Sequence, residues 1–464
     1  MNISPIDVCR KQQQFFRSGA PRSAAFRKEQ LKKLDSLLRN NEKKIEDALY
    51  ADLHKHPQVV YTTELAPVYE EILLQLKHLK KWMQPKRVST PVYLQPSVSR
   101  LYPEPVGNVL IISPWNFPVL LSFRATVGAM AAGNTILIKP SEYAVHSAAL
   151  LEEICNQNFP NEYLYVLNGN GHDVLPVLFD ECHFGKVFFT GSTAVGSKIM
   201  EMASRKLSPV SLELGGKSPC IVDATANIRI AAKRIVWGKF LNCGQSCVAP
   251  DYLMVHRSVK QTLVAAIISE IETTYGNEIK SNPDYGRIIH ERRYQTLKNY
   301  LKQGEILYGG ETDDAERFIG PTLLQNIQPG ASVLKEEIFG PILPIFTYDN
   351  TDEVLAFIEE NPYPLALYVF SNDSNIQDLF IKEVPFGGGC INETTLHLGN
   401  SNIPFGGIGT SGMGGHLGKY SFDLFSHYKG IVNRKNWFEP AFRFPPYNLQ
   451  KLKLWKFLLG RKRY

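Results

Sequence analysis

Two cysteines four positions apart, Cys243 and Cys247 in NCGQSC, could bind a metal, form a disulfide or attack an electrophile. A metal site needs about four ligands, and the closest further histidine, His256, lies across a predicted strand. A disulfide between neighbours on one helical turn is disfavoured in a reducing cytoplasm. Two interpretations of the motif remain open: a structural pair of buried thiols, or one reactive thiol that attacks as the thiolate.

Two further motifs carry groups suited to acyl chemistry. Asn116 in SPWNFP follows an apolar strand and could present its side-chain NH2 to an oxyanion, although a rigid turn is an equal alternative. Glu213 in SLELGGKSP stands beside two glycines. A carboxylate in an apolar pocket can serve as a general base, whereas a solvated turn glutamate is the plainer interpretation.

Other motifs suggest a nucleotide site, each weakly on its own. Lys139 and Glu142 in ILIKPSE could hold a ribose, or could form a surface ion pair. Gly191 and Gly196 in FFTGSTAVGSKIM stand between a predicted strand and a predicted helix, where backbone NH groups attract phosphate. Their spacing is neither the dinucleotide fingerprint nor a P-loop. KEEIFGPILP could simply lead into a strand, and PFGGIGTSGMG could simply be a loop.

The predicted elements would bring these motifs to one edge of a sheet. Apolar periodicity predicts helix from Phe26 to Leu49 and over TTELAPVYEEILLQLKHLKKWM, followed by short strands that alternate with segments of helical length. This alternation predicts a doubly wound parallel sheet, and a second α/β series begins near Ser211. The glycine-rich segment PFGGIGTSGMGGHLGKYSF shows no periodicity and is expected to be a loop.

Composition limits the class of protein. A chain of 464 residues allows two or three domains, and 44% hydrophobic with 21% charged residues is typical of a soluble globular protein. Residues 1–25 lack the apolar stretch of a signal peptide, and seven scattered cysteines favour a reducing cytoplasm. Prolines 114 and 118 interrupt the uncharged run 105–123, so we expect a buried strand and a loop there rather than a membrane span.

The net charge of +6 is confined to the C-terminus, because residues 451–464 contain six Lys or Arg and no acid. A neutral body disfavours nucleic acid as a partner. In the tail, Leu449, Leu452, Trp455 and Leu459 would form one stripe of a helix too short to span a bilayer. Peripheral membrane contact, and docking on the body or on a dimer partner, both remain open.

PWNFP, KPSE, FTGST, ELGGKSP, FLNCGQSC, EEIFGP and PFGGIGTSGMG occur in this order, and with them nearly the whole chain resembles the aldehyde dehydrogenase superfamily. The short N-terminal region and HLGKYSFDLFSHYKG resemble its class 3 and fatty aldehyde dehydrogenase branch. The resemblance implies an α/β aldehyde dehydrogenase fold. A Rossmann-like NAD(P)-binding domain would comprise 1–82 and 104–210, and an α/β catalytic domain 211–392. A small β oligomerisation arm with an active-site loop would comprise 83–103 and 393–432, before a basic amphipathic tail, 433–464.

The resemblance also implies an activity: oxidation of medium- or long-chain aliphatic or aromatic aldehydes to carboxylic acids through a thiohemiacetal and a thioester. Cys247 would be the nucleophile, Asn116 the oxyanion donor and Glu213 the general base. Cys243 has no implied role, and a reversible bridge to Cys247 is a hypothesis that mass spectrometry after mild peroxide tests. A cofactor-free thiol hydrolase and a non-catalytic scaffold protein are the alternatives, although neither requires all of these motifs.

The resemblance implies NAD as cofactor, with NADP as an alternative, and no metal. Glu142 favours NAD, because a carboxylate accepts hydrogen bonds from a ribose 2′-OH and repels a 2′-phosphate. A homodimer and a cytoplasmic, optionally membrane-associated, location are also expected. The branch often has an aromatic residue and His before the final Gly-Lys, where this chain has His416 and Leu417. Phe405 is expected to border the aldehyde, and the residues expected to contact the cofactor are Trp115, Lys139, Glu142, Gly191, Ser192, Thr193, Ala194, Val195, Gly196, Leu214, Glu337 and Phe339.

Overall fold

Two large sheets and an antiparallel arm organise the protein in a computed structural model, which describes residues 4–460. The α-helices are α1 Pro5–Arg17, α2 Ala24–Asn40, α3 Glu42–Leu53, α4 Pro57–Val60, α5 Ala66–Trp82, α6 Pro118–Ala132, α7 Val145–Asn156, α8 Gly171–Glu181, α9 Thr193–Ser204, α10 Ile228–Phe240, α11 Lys260–Tyr275, α12 Glu291–Tyr300, α13 Ser332–Lys335, α14 Thr351–Glu359, α15 Ser374–Glu383, α16 Lys419–Leu424 and α17 Leu449–Leu459.

The strands follow in the same chain order. They are β1 Lys86–Val88, β2 Ser97–Pro105, β3 Asn108–Ile112, β4 Thr135–Lys139, β5 Leu164–Val166, β6 Lys186–Thr190, β7 Val210–Glu213, β8 Pro219–Val222, β9 Tyr252–His256, β10 Glu305–Tyr308, β11 Thr312–Asp313, β12 Phe318–Ile319, β13 Thr322–Gln325, β14 Ile342–Tyr348, β15 Ala366–Phe370, β16 Gly388–Ile391, β17 Gly412–Met413 and β18 Ser426–Arg434.

The first sheet has the order β17-β7-β6-β3-β4-β5, and all its neighbouring pairs are parallel except β17 with β7. Successive side chains of a strand point to opposite faces. Val109 and Ile111 of β3 therefore pack in the cluster that contains α2, α5, α6 and α7, whereas Leu110 and Ile112 pack with α8 and α9. This two-sided burial confirms the predicted doubly wound architecture.

The second sheet has the order β10-β13-β14-β9-β8-β15-β16, and only its edge strand β10 is antiparallel. Because β7 ends at Glu213 and β8 begins at Pro219, the chain passes from the first sheet to the second through the LGGKS segment. This crossing places Glu213 between the two sheets.

The predicted buried strand and the loop after it are confirmed within the uncharged run 105–123, but the helix that occupies the end of the run was not predicted. The run forms β3 and a short loop, and α6 then begins at Pro118. Proline is favoured in the first turn of a helix, because its missing NH has no intrahelical partner there and its φ is already helical. The two prolines that disfavoured a membrane span are therefore compatible with a helix buried in the protein core.

The predicted helix from Phe26 to Leu49 is divided into two. Asn41 has φ −116° and ψ 13°, and its side chain donates to the Leu37 carbonyl at 2.8 Å. Asparagine competes for backbone hydrogen bonds in this way and favours helix ends. The next predicted helix begins with a π-helical segment, Tyr61–Leu65, before α5.

The glycine-rich segment near the C-terminus is more ordered than predicted. It contributes β17, which pairs with the end of β7, and then α16. Gly412 needs to be glycine, because its φ is +142° and a Cβ there would lie 2.2 Å from the Leu212 carbonyl oxygen. Because close backbone contacts fix this segment, rather than a repeating pattern of apolar side chains, its sequence has no period that would predict the structure.

The arm is a three-stranded antiparallel sheet, β1-β2-β18, and the tail helix α17 lies against it. Trp455 packs on Tyr93 and Phe442, with ring centroids 6.2 and 5.3 Å apart. Leu449 and Leu452 remain exposed. The predicted stripe is thus split between packed and exposed positions, and three of the six tail cations, Arg461, Lys462 and Arg463, lie outside the described residues.

Candidate active site

A cleft of about 760 Å³ lies where the carboxyl ends of β3, β6 and β7 face the loop after α10. Open parallel sheets bind ligands at this edge. The cleft brings together the three predicted catalytic residues, Asn116, Glu213 and Cys247. The predicted cofactor residues that also line it are Trp115, Gly191, Ser192, Thr193, Ala194, Leu214, Glu337 and Phe339.

Cys247 lies in a loop whose backbone is fixed by Gln245. The Gln245 amide donates to the Asn242 carbonyl at 3.1 Å and the Arg287 carbonyl at 2.9 Å, and it accepts from the Ile289 NH at 3.1 Å. Burial raises the pKa of the Cys247 thiol well above its ordinary value, and the charges of Glu337 and Glu213 raise it further. The amides of Cys247 and Val248 lower it. Thiolate formation here therefore calls for a base or for a change in the surroundings.

Asn116 is buried, and its main chain is held from both sides of the cleft. Its carbonyl oxygen accepts from Lys55 Nζ at 2.8 Å and from Asn242 Nδ2 at 3.0 Å, while its own Nδ2 donates to the Gln245 carbonyl at 3.2 Å. An amide NH2 has two hydrogens, so one remains for an oxyanion. This arrangement fits the predicted donor role.

Lys55 and Glu64 form a buried ion pair behind Asn116, with Nζ and Oε1 2.5 Å apart. Glu64 Oε2 accepts from the Val119 and Leu120 NH groups at 3.1 and 2.9 Å, which caps the start of α6. Burial raises the pKa of Glu64 and lowers that of Lys55, and their mutual attraction opposes both shifts. The sequence analysis missed this pair. Lys55 lies in the short loop between α3 and α4 and Glu64 in the π-helical segment Tyr61–Leu65, and no motif in the sequence marks the two as partners.

Glu213, at the end of β7, contacts two side chains besides the cleft. Its Oε2 accepts from the Thr190 hydroxyl at 3.2 Å, and its Oε1 lies 2.7 Å from Nε2 of His416. Both the Glu213 and His416 side chains are at most 5% exposed. The contact to His416 was not predicted, although the shifted histidine itself was noticed.

The predicted phosphate turn is partly helical. Gly191 lies in the turn, but α9 begins at Thr193, so Gly196 belongs to its first turn. A Cβ on Gly196 would lie 2.5 Å from Leu214 Cδ2, which is why glycine is needed for this close helix–strand packing. The Ser192 hydroxyl accepts from the Val195 NH at 3.4 Å. Val195 and Gly196 do not line the cleft in the described structure, whereas the start of the helix does.

Lys139 and Glu142 lie beside the cleft rather than in its lining. Lys139 is buried at the end of β4, next to β3, and its Nζ donates to Glu142 Oε2 at 3.1 Å. Glu142 also accepts from the Gly171 NH at 3.2 Å. Burial opposes ionisation of Glu142, but its own amide and the Lys139 charge outweigh it and lower the pKa of the carboxyl. An ionised carboxylate is thus available at the sheet edge.

Glu337 and Phe339 lie on the opposite wall. Burial raises the pKa of Glu337 to about 8, Asp251 adds to the rise, and Arg293 and Lys217 oppose it. Phe339 packs edge-on against Trp115, with ring centroids 5.2 Å apart. A buried ion pair between Lys217 and Asp251 supports this wall, because Asp251 also accepts from the Ile338 NH at 2.8 Å.

Two residues singled out in the sequence lie behind the cleft. Phe405 is buried, pairs with His416 through the backbone and is not among the lining residues. Cys243 is 1% exposed and lies in the hydrophobic core, where Tyr285 forms a hydrogen bond with its thiol. A bridge to Cys247 would require Cys243 to give up that contact.

Neither a membrane span nor a metal cluster is found within residues 4–460. No helix there combines the length and apolar character needed to cross a bilayer. His, Cys, Asp and Glu side chains of this part of the chain do not gather in groups of three that could hold a metal ion.

Known proteins resemble the chain over nearly its full length. A 4,4′-diaponeurosporen-aldehyde dehydrogenase of Staphylococcus aureus is 46% identical over 93% of this chain and 94% of that protein. Aldehyde dehydrogenase family 3 member A2 of Pongo abelii is 41% identical over 98% of this chain and 93% of its own. A substrate-bound structure of Staphylococcus aureus AldH superimposes with a TM-score of 0.96 at 44% identity, covering 99% of this chain and all of the other.

Two comparisons bear on the cofactor. A rat protein named dimeric NADP-preferring aldehyde dehydrogenase is 38% identical over 95% of this chain and 97% of its own. An indole-3-acetaldehyde dehydrogenase solved with NAD+ superimposes with a TM-score of 0.83 at 26% identity, covering 92% of this chain and 88% of the other. NAD, with NADP as an alternative, is therefore the cofactor of this chain.

The sequence profile of the aldehyde dehydrogenase family matches residues 7–431, a span that contains every residue of the cleft described above. The two curated relatives described first belong to family 3 or act, by name, on an aldehyde. The chain belongs to the aldehyde dehydrogenase family, in its class 3 branch, and is an NAD(P)-dependent oxidoreductase that acts on aldehydes.

Proposed function

We propose that Cys247 is the nucleophile, Asn116 the oxyanion donor and Glu213 the general base of this dehydrogenase. The observation that carries the proposal is their convergence: three groups from β7, the loop after β3 and the loop after α10 line one cleft. The same cleft includes the start of α9. A partly buried thiol, an amide NH2 and a carboxylate are the groups that a thioester mechanism needs.

The cleft fits a dinucleotide. The first NH groups of α9 have no intrahelical partner and favour phosphate, and a Cβ on Gly191 would lie 2.6 Å from Phe189 Cζ, so this turn admits only glycine without rearrangement. We assign the pyrophosphate to Gly191–Gly196 and the adenosine ribose to Lys139 and Glu142. Trp115, Leu214, Glu337 and Phe339 would hold the nicotinamide half. When bound, NAD(P) supplies the acceptor for the hydride that leaves the substrate carbon.

In the first half-reaction the Cys247 thiol loses its proton to water, the thiolate sulfur forms a bond to the aldehyde carbon, and the carbonyl π electrons move to oxygen. The Asn116 NH2 and the Cys247 NH stabilise that oxyanion, and losing one such donor costs about 3–4 kcal/mol of barrier. The oxyanion electrons then re-form the carbonyl as the carbon loses hydride. The product of this step is a thioester on Cys247.

In the second half-reaction Glu213 takes a proton from water as the water oxygen adds to the thioester carbon. The C–S bond breaks, the sulfur of Cys247 leaves with the bonding electron pair, and the product departs as a carboxylate. Two moderate barriers thereby replace one high barrier.

An apolar aldehyde, of medium or long chain or aromatic, suits this cleft. Apolar side chains line the same cleft as Cys247, and those not covered by the nicotinamide ring would face the aldehyde. The related Staphylococcus aureus protein named for 4,4′-diaponeurosporen-aldehyde also handles, by that name, a long aldehyde. A comparison of kcat/KM for propanal, octanal, hexadecanal and benzaldehyde tests this preference, and a preference for propanal would contradict it.

The nucleophile is tested with a matched pair of cysteine variants. Cys247→Ala should abolish NADH formation from octanal while retaining NAD+ binding by calorimetry, because the sulfur forms the substrate bond. Cys243→Ala removes the buried neighbour and should retain the activity. Turnover by Cys247→Ala, or equal loss in both variants, would contradict the assignment.

We also infer the assembly and the location. The division into a nucleotide domain (1–82 and 104–210), a catalytic domain (211–392) and an arm (83–103 and 393–432) is supported by the separate sheets. We propose a homodimer formed through the arm, for which light scattering should give twice the chain mass of 52.3 kDa. A cytoplasmic enzyme whose tail touches membrane peripherally fits the basic, partly apolar helix α17.

A further inference from the structure

The general-base candidate Glu213 shares its buried site with an imidazole. His416 Nε2 lies 2.7 Å from Glu213 Oε1, and the two side chains are 3% and 5% exposed. No hydrogen bond with an acceptable angle reaches Oε1 from the described residues, so the 2.7 Å approach of Nε2 is a contact between two buried polar atoms without an aligned hydrogen. A hydrogen on Nε2 would convert this contact into a hydrogen bond after a small rotation of the ring, whereas an unprotonated nitrogen would oppose its lone pair to that of the carboxylate.

The neutral imidazole with its hydrogen on Nε2 fits this environment. His416 Nδ1 is buried and has no hydrogen-bond partner within the described residues. A bare nitrogen there costs less than an unpaired buried NH, which the protonated ring would create. Phe188 and Phe405 pack on the ring, with centroids 5.3 and 6.0 Å away, so water has little access to it.

The backbone holds the imidazole in a fixed position. The His416 and Phe405 main chains exchange two hydrogen bonds of 2.9 Å each. Leu417 has φ +97°, a strained conformation for a branched residue, and is held by its NH bond to Ser421 Oγ at 2.9 Å. Strain of this kind persists only where the surrounding structure enforces it, and it concentrates at functional sites.

We propose that His416 is a positioning residue for Glu213 in thioester hydrolysis, an inference that rests on the roles proposed above for Glu213 and Cys247. The Nε2 hydrogen holds Oε1, and this fixes the plane of the carboxylate. Oε2, which accepts one hydrogen bond from Thr190, keeps a second lone pair for the proton of the attacking water. His416 itself touches neither the water nor the acyl group in this scheme.

The alternative is that His416 only packs the loop, and two amide variants separate these roles. Glutamine at 416 can place an NH2 where Nε2 lies, whereas asparagine is one methylene shorter and cannot reach Glu213. His416→Asn should slow hydrolysis of the thioester by roughly 10- to 100-fold, the range for a lost hydrogen bond to a charged group. His416→Gln should remain within about threefold of the native rate by the same reasoning.

The measurement is the reaction of native enzyme and variants with octanal and NAD+, quenched in acid after the first turnovers. With His416→Asn, NADH should appear in a burst and intact mass spectrometry should show the octanoyl group on Cys247. The Asn effect should vanish in the Glu213→Gln background, because the two residues act on one step. His397→Leu, which removes the other buried imidazole beside Phe405, should not accumulate the thioester. Thermal melts confirm that each variant is folded.

Two results would overturn the inference. If His416→Asn and His416→Gln slow the first turnover and the steady state equally and no thioester accumulates, His416 has only a packing role. If Glu213→Gln accumulates the thioester while His416→Asn behaves like the native enzyme, the inference on His416 fails and the role of Glu213 stands. If Glu213→Gln itself accumulates none, the proposed general base is wrong.

Discussion

At the scale of single residues, burial decides which groups in the cleft carry charge before any ligand binds. Glu337 lies in the cleft wall near Asp251, and its pKa of about 8 leaves it mostly protonated at neutral pH. Its charge would otherwise raise the pKa of Cys247 further. A neutral Glu337 can both donate to and accept from a sugar hydroxyl, so it suits the nicotinamide half of the cofactor.

This burial predicts how stability depends on pH. The pKa of Glu337 is raised from about 4.3 in the unfolded chain to about 8 in the folded one. Its contribution to stability is therefore complete below about pH 4.3 and is lost as pH rises through about 8. Glu337→Gln removes the titration. As pH rises through that range, the free energy of unfolding of this variant should therefore increase relative to that of the native protein by up to about 1.4 kcal/mol per pH unit.

Urea unfolding of the cofactor-free protein at several pH values between about 5 and 8 measures this difference. Glu383→Gln, at an exposed position on α15, is the control and should run parallel to the native protein. A constant offset between Glu337→Gln and the native protein would show that Glu337 is ionised throughout.

Residue types and motifs were sufficient to predict much of the cleft. Asn116 and Glu213 were noticed as polar groups in short motifs, and the resemblance to the aldehyde dehydrogenase family implied their roles and selected Cys247 over Cys243; the structure brings all three together. The contact between His416 and Glu213 could not be predicted. It depends on the pairing of β17 with β7, two strands that are far apart in the sequence.

At the scale of elements, the start of α6 is capped by a buried side chain behind Asn116. The π-helical segment Tyr61–Leu65 places Glu64 so that it caps α6, and Lys55 neutralises Glu64 while binding the Asn116 carbonyl. An extra residue in a helical turn is often found at functional sites. Here it links a helix end to the oxyanion donor.

Breaking this pair should be costly. Lys55→Met leaves Glu64 buried without a cation, which should lower the free energy of unfolding by about 3–5 kcal/mol. It should also lower kcat for octanal, because Asn116 loses one of the donors that hold its carbonyl. Urea unfolding and steady-state kinetics measure the two effects.

Lys382→Met is the control for that variant, because it breaks an exposed pair with Asp378 on α15. Exposed pairs contribute about 1 kcal/mol or less. Similar losses of stability in the two variants would show that the buried pair contributes no more than a surface pair.

Elements with a clear period were predicted well, and those fixed by contacts were not. The strands predicted before Asn116, before Gly191 and beside His256 are present as β3, β6 and β9. The break at Asn41 and the start of α6 at Pro118 were missed, because each depends on one residue whose backbone preference overrides the pattern around it. The two-residue strand β17 is too short for any period to reveal.

At the scale of the whole molecule, the arm and the tail take the smallest part in the proposed reaction. The long pair β2 and β18 joins residues near 100 to residues near 430 and ties the last part of the family-matched region to the first domain. Helix α17 lies on this arm through Trp455 and leaves Leu449, Leu452 and Leu459 exposed. Apolar side chains beside several lysines are typical of a helix that lies on an anionic membrane.

Membrane contact by the tail can be tested by flotation. The full chain should float with vesicles containing phosphatidylserine, and a chain truncated after Tyr447 should not. Each basic residue near such a surface contributes about 1 kcal/mol, so binding should weaken in high salt. Pure phosphatidylcholine vesicles are the control. Equal behaviour of the two chains would assign the helix to packing against the arm or a second subunit.

Two donors bind the Asn116 carbonyl, and this arrangement affects how the enzyme loses activity. Lys55 belongs to the N-terminal helices and Asn242 to the loop that follows α10, so the two donors approach from opposite halves of the protein. A small slip between the halves would release the amide while every helix and strand stayed intact. Turnover should therefore be lost under milder denaturing conditions than the circular-dichroism signal of the helices and strands. Activity would then report the alignment of the two halves more sensitively than secondary structure does.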